Sequence, residues 1–162
     1  MRTTGSVWSL VLVLSLFLWA GMVAAISFME APLKFTAPHI TIPLGVGIGR
    51  VVFHALNRVE MVLLLASLLS ARILRAPAAV WLGLGLLGFV LLLQTLWLLP
   101  ALDVRAGMLL AGHEAPPSRL HLLYIVADGL KLLALLITGS RAFQAATVTP
   151  EPAAHSKITT AA

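Results

Sequence analysis

The sequence predicts an all-α fold, a bundle of four membrane-spanning helices. Three observations carry that expectation. The chain of 162 residues is 60% hydrophobic and only 10% charged, with a mean hydropathy of +1.01, whereas soluble domains sit nearer half apolar and a quarter charged. Its apolar residues gather in four runs, each near the roughly 20 helical residues that cross a bilayer core. The ionisable groups inside those runs balance, with Arg58 and Lys131 against Glu60 and Asp128. Helices are the expected form because lipid cannot satisfy bare backbone.

Composition also narrows function. The absence of cysteine excludes disulfides, thiolate metal sites and thiol catalysis. The net charge of +5 is scattered in ones and twos, which fits membrane-flanking charge and offers no run of Lys and Arg for nucleic acid. Arg outnumbers Lys eight to three amid abundant Ala and Leu, the composition of a GC-rich bacterial gene. A polytopic protein of a bacterial inner membrane is expected, and not a globular enzyme.

The first run, residues 7–29, is uncharged. Val23-Ala24-Ala25 resembles a signal-peptide cleavage site, but the run exceeds the usual 7–15 apolar residues of such signals, so a retained helix is expected. Ala20 and Gly21 suggest close packing there. "SFMEAPLKF" follows, with Glu30 and Lys34 at i, i+4 on an interfacial turn and Pro32 where the helix should leave the membrane. Residues 36–50, "TAPHITIPLGVGIGR", read as a loop. Its Gly45, Gly47 and Gly49 either admit close backbone approach to a ligand or mark a flexible re-entry.

The second span covers about residues 50–73 and ends in "SARILRAPA", a tight turn with two Arg and Pro77. The third covers 78–102 and contains Pro100. Its "GLGLLG" at 83–88 matches G-x-G-x-x-G, but within an uncharged apolar run and without a following acid. Glycines for helix packing are the better reading. The fourth covers 120–140. Residues 1–143 then form the membrane domain, and 144–162 a polar, disordered tail. Four spans put both termini on one side, and a Lys/Arg count of five to four favours the cytoplasm for that side.

Each mid-membrane charge costs about 2.5–3.5 kcal/mol, so the four would cost on the order of 10 kcal/mol if unpaired. At about 100° per residue, His121, Tyr124, Asp128 and Lys131 fall on one stripe about 80° wide. Arg50, His54 and Arg58 form a second stripe, and Asn57, Glu60 and Ser67 a third. The economical pairing is Glu60 with Lys131, leaving Asp128 for Arg58 or a histidine. Gln94 lies at similar depth. Asn57, Arg58, Glu60, Gln94, Tyr124, Asp128 and Lys131 thus make a candidate polar core, formed mainly by the second and fourth spans. It could serve as packing glue or as a functional site.

The halves of the chain also resemble each other. His54 follows Pro32 by 22 residues, and His121 follows Pro100 by 21. An acid follows each histidine, Glu60 after six residues and Asp128 after seven. Two helical hairpins duplicated in the same orientation are expected. The repeat would set His54 and His121 at matched depth, where two imidazoles can ligate haem, copper or zinc. The alternative is that each is a hydrogen-bonding residue. Glu30, His39, Asp103, His113 and Glu114, read as loop acceptors, could feed a metal inward.

"EAPLKF", "GVGIGRVVFHALNRVE", "LQTLWLLPALD" and "LHLLYIVADGLKLLALL" together resemble a group of small bacterial four-helix membrane proteins of unknown function. That group in turn resembles the eukaryotic transmembrane protein 205 group. The likeness covers about residues 10–140 and implies the fold without an activity. More distantly, the hairpin-with-histidine pattern is similar to copper-resistance D-type proteins and to the haem-dependent protoporphyrinogen oxidase membrane family. The latter resemblance implies haem held by His54 or His121 with Lys131. A clear Leu-Pro-Arg motif of that family is missing here. Three readings stay open: a structural or small-ligand-binding membrane protein, a haem or copper redox protein using His54 and His121, and an ion- or proton-coupled small transporter. The bilayer is the expected partner, and transport would call for a homodimer.

Overall fold

The computed structural model describes residues 2–147. Among the described residues four helices are long and apolar enough to cross a membrane: α1 (Gly5–Thr36), α2 (Ile42–Leu74), α3 (Ala78–Leu110) and α4 (Leu120–Thr147). Each packs on the next and α4 closes on α1, so α1 faces α3 and α2 faces α4 across the bundle. The all-α four-helix bundle is thus the observed fold. Leu12, Leu16, Leu84, Leu87 and Leu135 fill its apolar centre. Leu82 and Leu96, 76% and 74% exposed, face outward. In lipid such a surface has no apolar burial to gain.

The helices run further than expected. Thirty-three residues make about 50 Å of helix, against a hydrocarbon core of about 30 Å. The excess lies at the distal end, which carries the 37–41 and 111–119 connections and the charges of Lys34, Arg50, Asp103 and Arg105. The expected loop at 36–50 is in large part helix. Thr41 caps α2 by accepting the Leu44 N–H at 3.4 Å, and Pro43 sits in its first turn, where the missing N–H costs nothing. At the other end α2 stops in a 6→1 bond from Ala76 N–H to Ala71 O, with Arg75 left-handed at φ 50°. α4 continues to Thr147, four residues into the expected tail. The rest of that tail lies outside the described residues.

Neither proline ends its helix. A proline lacks an N–H and its ring crowds the carbonyl four residues back. In α1 the chain widens to a π-turn over Ala24–Glu30, closed by Ala31 N–H on Ile26 O. In α3 it does the same over Gln94–Leu98, closed by Leu99 N–H on Gln94 O. In both, the residue just before the proline donates five residues back, and the helix passes on.

These π-turns are in register. A shift of 68 residues carries Ile26 onto Gln94, Pro32 onto Pro100 and Glu60 onto Asp128. The same shift carries the buried positions of α1 (Leu12, Leu16, Trp19, Val23) onto buried positions of α3 (Val80, Leu84, Leu87, Leu91). On α2 and α4 it carries Leu56, Ser67 and Ser70 onto Tyr124, Leu135 and Thr138, again all buried. One set of inward-facing positions is therefore used twice.

Candidate functional site

All four helices send polar side chains to the centre of the bundle, α1 to α3 one each and α4 two. Lys131 of α4 is the hub, fully buried, with its ammonium 2.5 Å from Glu60 Oε1 of α2 and 3.0 Å from Asp128 Oδ1 one turn away. Its Nζ donates to Gln94 Oε1 of α3 at 2.6 Å. Gln94 Nε2 in turn donates to Asp128 Oδ1 at 2.8 Å, and Trp19 Nε1 of α1 donates to Glu60 Oε1 at 2.7 Å. The three N–H groups of Lys131 thus meet three acceptors. The π-turn helps to set this up, since it widens α3 where Gln94 begins the bulge. Such bulges recur at functional sites.

The pairing of Glu60 with Lys131, expected from helical angles, is formed. Asp128 does not take Arg58 or a histidine. It shares Lys131 with Glu60. Arg58 is exposed on the outside of α2 and makes no ion pair among the described residues. It stands two residues from Glu60, so the helix turns it about 200° away from the centre. Its Cβ points toward the distal end, and its long side chain can carry the charge outward. Asn57 is buried but off the hub, donating to Thr95 Oγ1 at 2.9 Å across the α2–α3 contact. Trp19 was not foreseen, and Gly21 does not mediate close packing, because a Cβ there would meet nothing within 4 Å.

With its acids ionised, the cluster carries two carboxylates and one ammonium, an excess of one negative charge. The cause lies in the repeat. The shift that superposes Glu60 on Asp128 carries Lys131 back onto Leu63, so the duplicated acids share a lysine present in one half only.

Two neighbouring cavities lie between this centre and the distal end. The outer one, about 330 Å³, is bordered by Lys34, Arg50, Asp103, Arg105 and His121. The inner one, about 370 Å³, is bordered by Ser27, Phe28, Phe35, Phe53, Tyr124 and Asp128. Ala31, Phe35, Phe53, His121 and Tyr124 border both. Phe53 and Tyr124 meet edge to face, with centroids 5.2 Å apart. Gly45 and Gly49 help form the outer cavity, and the Phe35 ring and the Lys34 ammonium lie directly on them. A Cβ at Gly45 would overlap the Phe35 ring, and one at Gly49 would displace the Lys34 ammonium. The glycines thus admit close approach, by side chains of α1.

The two histidines have different surroundings. His54 Nε2 lies 2.7 Å from Asp103 Oδ2, and Arg50 Nε donates to Asp103 Oδ1 at 3.0 Å. Asp103 is thus on a helix, tying α2 to α3, and is not a loop acceptor. His121 borders both cavities, and His54 borders neither. Among the described residues no three His, Cys, Asp or Glu side chains cluster as a metal site.

Five buried side-chain oxygens lack a hydrogen-bond partner among the described residues: Ser27 Oγ, Glu60 Oε2, Ser67 Oγ, Tyr124 Oη and Asp128 Oδ2. Three of these five residues, Ser27, Tyr124 and Asp128, border the inner cavity. Protein interiors rarely leave such groups unpaired. The chain matches no protein-family model, no curated protein and no solved structure.

Proposed function

We propose that this membrane protein is a small-ligand-binding protein whose site is the pair of neighbouring cavities toward the distal end of the bundle. One observation carries the reading: three residues with unpartnered buried oxygens converge on one cavity whose remaining border is largely aromatic. Ligand sites have this character, apolar in the main with a few placed polar groups, and volumes of roughly 300–1,000 Å³. Buried polar atoms held without partners cost free energy, and a ligand that satisfies them recovers it. The hub around Lys131 is the rigid floor of the site, since it ties all four helices together. The same proposal places the chain in a bacterial plasma membrane, with the termini cytoplasmic and the cavity on the far side. It also places the chain in the four-helix group it resembles.

The test is thermal unfolding of the detergent-purified protein against a set of small amphiphiles. A subset should raise the melting temperature, as any ligand of the native state does. Ala31→Leu, at the junction of the two cavities, should remove the effect. No shift with any amphiphile, or shifts that survive Ala31→Leu, would overturn the reading.

A further inference from the structure

Resting on that cavity reading, we infer that the inner cavity binds the head of an organic primary ammonium, an amphiphilic amine with an apolar or aromatic body. Ser27, Tyr124 and Asp128 are 7%, 2% and 0% exposed, and each has an oxygen without a partner among the described residues. A primary ammonium brings three N–H donors and one positive charge. Three residues on the cavity border carry such oxygens, and with both acids ionised the cluster behind it has one excess negative charge.

A proton does not answer as well. Placed on Asp128 Oδ2 it would turn an unpartnered acceptor into an unpartnered donor and leave both hydroxyls as they are. An inorganic cation such as Ca²⁺ or Mg²⁺ is held chiefly by carboxylates and water, and brings no apolar body to set against the rings of this border. Phe28, Phe35, Phe53 and Tyr124 suit a cation joined to an apolar body, because aromatic faces attract positive charge. Phe28 and Ile125, 41% and 36% exposed, set this cavity against the outer surface of the bundle between α1 and α4. An amphiphilic amine can reach it there from the bilayer, without passing Lys34, Arg50 and Arg105.

The repeat shows that the opening is specific to one half. The equivalent of Ser27 in the second half is Thr95, which accepts from Asn57 Nδ2 at 2.9 Å and donates to Leu91 O at 2.7 Å. The position equivalent to Asn57 holds Ile125. Where the α2–α3 contact closes on an amide, the α1–α4 contact has an apolar side chain, an unpartnered hydroxyl and a cavity.

Calorimetric titration of the full chain in detergent with phenethylammonium and with its neutral analogue 2-phenylethanol decides the matter. The ammonium should bind about tenfold or more tightly than the alcohol, the ratio expected of charge-assisted hydrogen bonds. Asp128→Asn should remove most of that preference. Should Asp128→Asn fail to fold, Ser27→Ala and Tyr124→Phe leave the Lys131 network intact, and each should weaken the ammonium about fivefold. Equal affinity for the two compounds, no binding of the ammonium, or ammonium affinity unchanged in the hydroxyl variants would overturn the inference. Alcohol binding that is lost in Ala31→Leu would still uphold the cavity reading.

Discussion

Glu60 and Asp128 are equivalent positions of a duplicated hairpin, and they share a single cation, Lys131, across the centre of the bundle. Each alone would be a buried anion of high cost. Together they hold one ammonium between helices that otherwise only face each other diagonally.

Lys131→Met should therefore be the most damaging single change in the core. It leaves two buried carboxylates without a counter-charge, and breaking a buried pair from one side costs about 3–5 kcal/mol. Adding Glu60→Gln to Lys131→Met should recover part of that loss. Unfolding of the two variants in detergent measures it. Simple additivity would mean the pair is not coupled.

Trp19→Phe keeps an aromatic ring but loses the donor to Glu60 and part of a fully buried side chain's volume. Hydrogen bonds to charged groups are worth about 1.5–3 kcal/mol, and a loss of at least that size is expected. Trp81, 38% exposed, is the control; Trp81→Phe should leave stability nearly unchanged.

Ser27→Ala and Tyr124→Phe should run the other way. Each removes a hydroxyl that has no partner among the described residues. Without ligand, the unfolding free energy should hold or rise by about 1 kcal/mol. A loss of that size in either variant would show that the hydroxyl is satisfied after all.

Arg58→Gln tests the placement of the one charge that left the core. An exposed side chain without a partner should change stability by no more than about 0.5 kcal/mol. A loss of several kcal/mol would restore the pairing with Asp128 that helical depth alone suggests.

Gly83→Val tests the glycine motif. A Cβ at Gly83 would overlap the Thr138 side chain of α4. Overpacking of this kind costs about 1–3 kcal/mol. Gly85→Val, with nothing within 4 Å of its Cβ, should be tolerated far better.

Most of the core was legible because polar groups inside apolar helices stand out, and because angles along a helix sort them. That is how Glu60 met Lys131, and how Tyr124 and Asp128 fell on the same face. Trp19 was illegible for the opposite reason: an indole counts as apolar in any hydropathy reading, and its one N–H matters only once a carboxylate is opposite. The helices past Pro32 and Pro100 were missed because a π-turn leaves no mark in composition. Arg58 was misplaced because depth was weighed above direction, although its angle to Glu60 was already plain. The repeat was visible in the two prolines, but the histidines stand one residue out of its register, since the shift that carries Pro32 onto Pro100 carries His54 onto Leu122; the register itself lies in the buried faces.

The lysine that only one half possesses has a consequence for how the halves depend on each other. Two copies of the second hairpin, residues 78–147, would bring two buried aspartates and two buried lysines, and could neutralise themselves. Two copies of the first, residues 5–74, would bring two buried glutamates and no buried base. The second hairpin thus carries a counter-charge for its own buried acid, and the first finds one only in its sister.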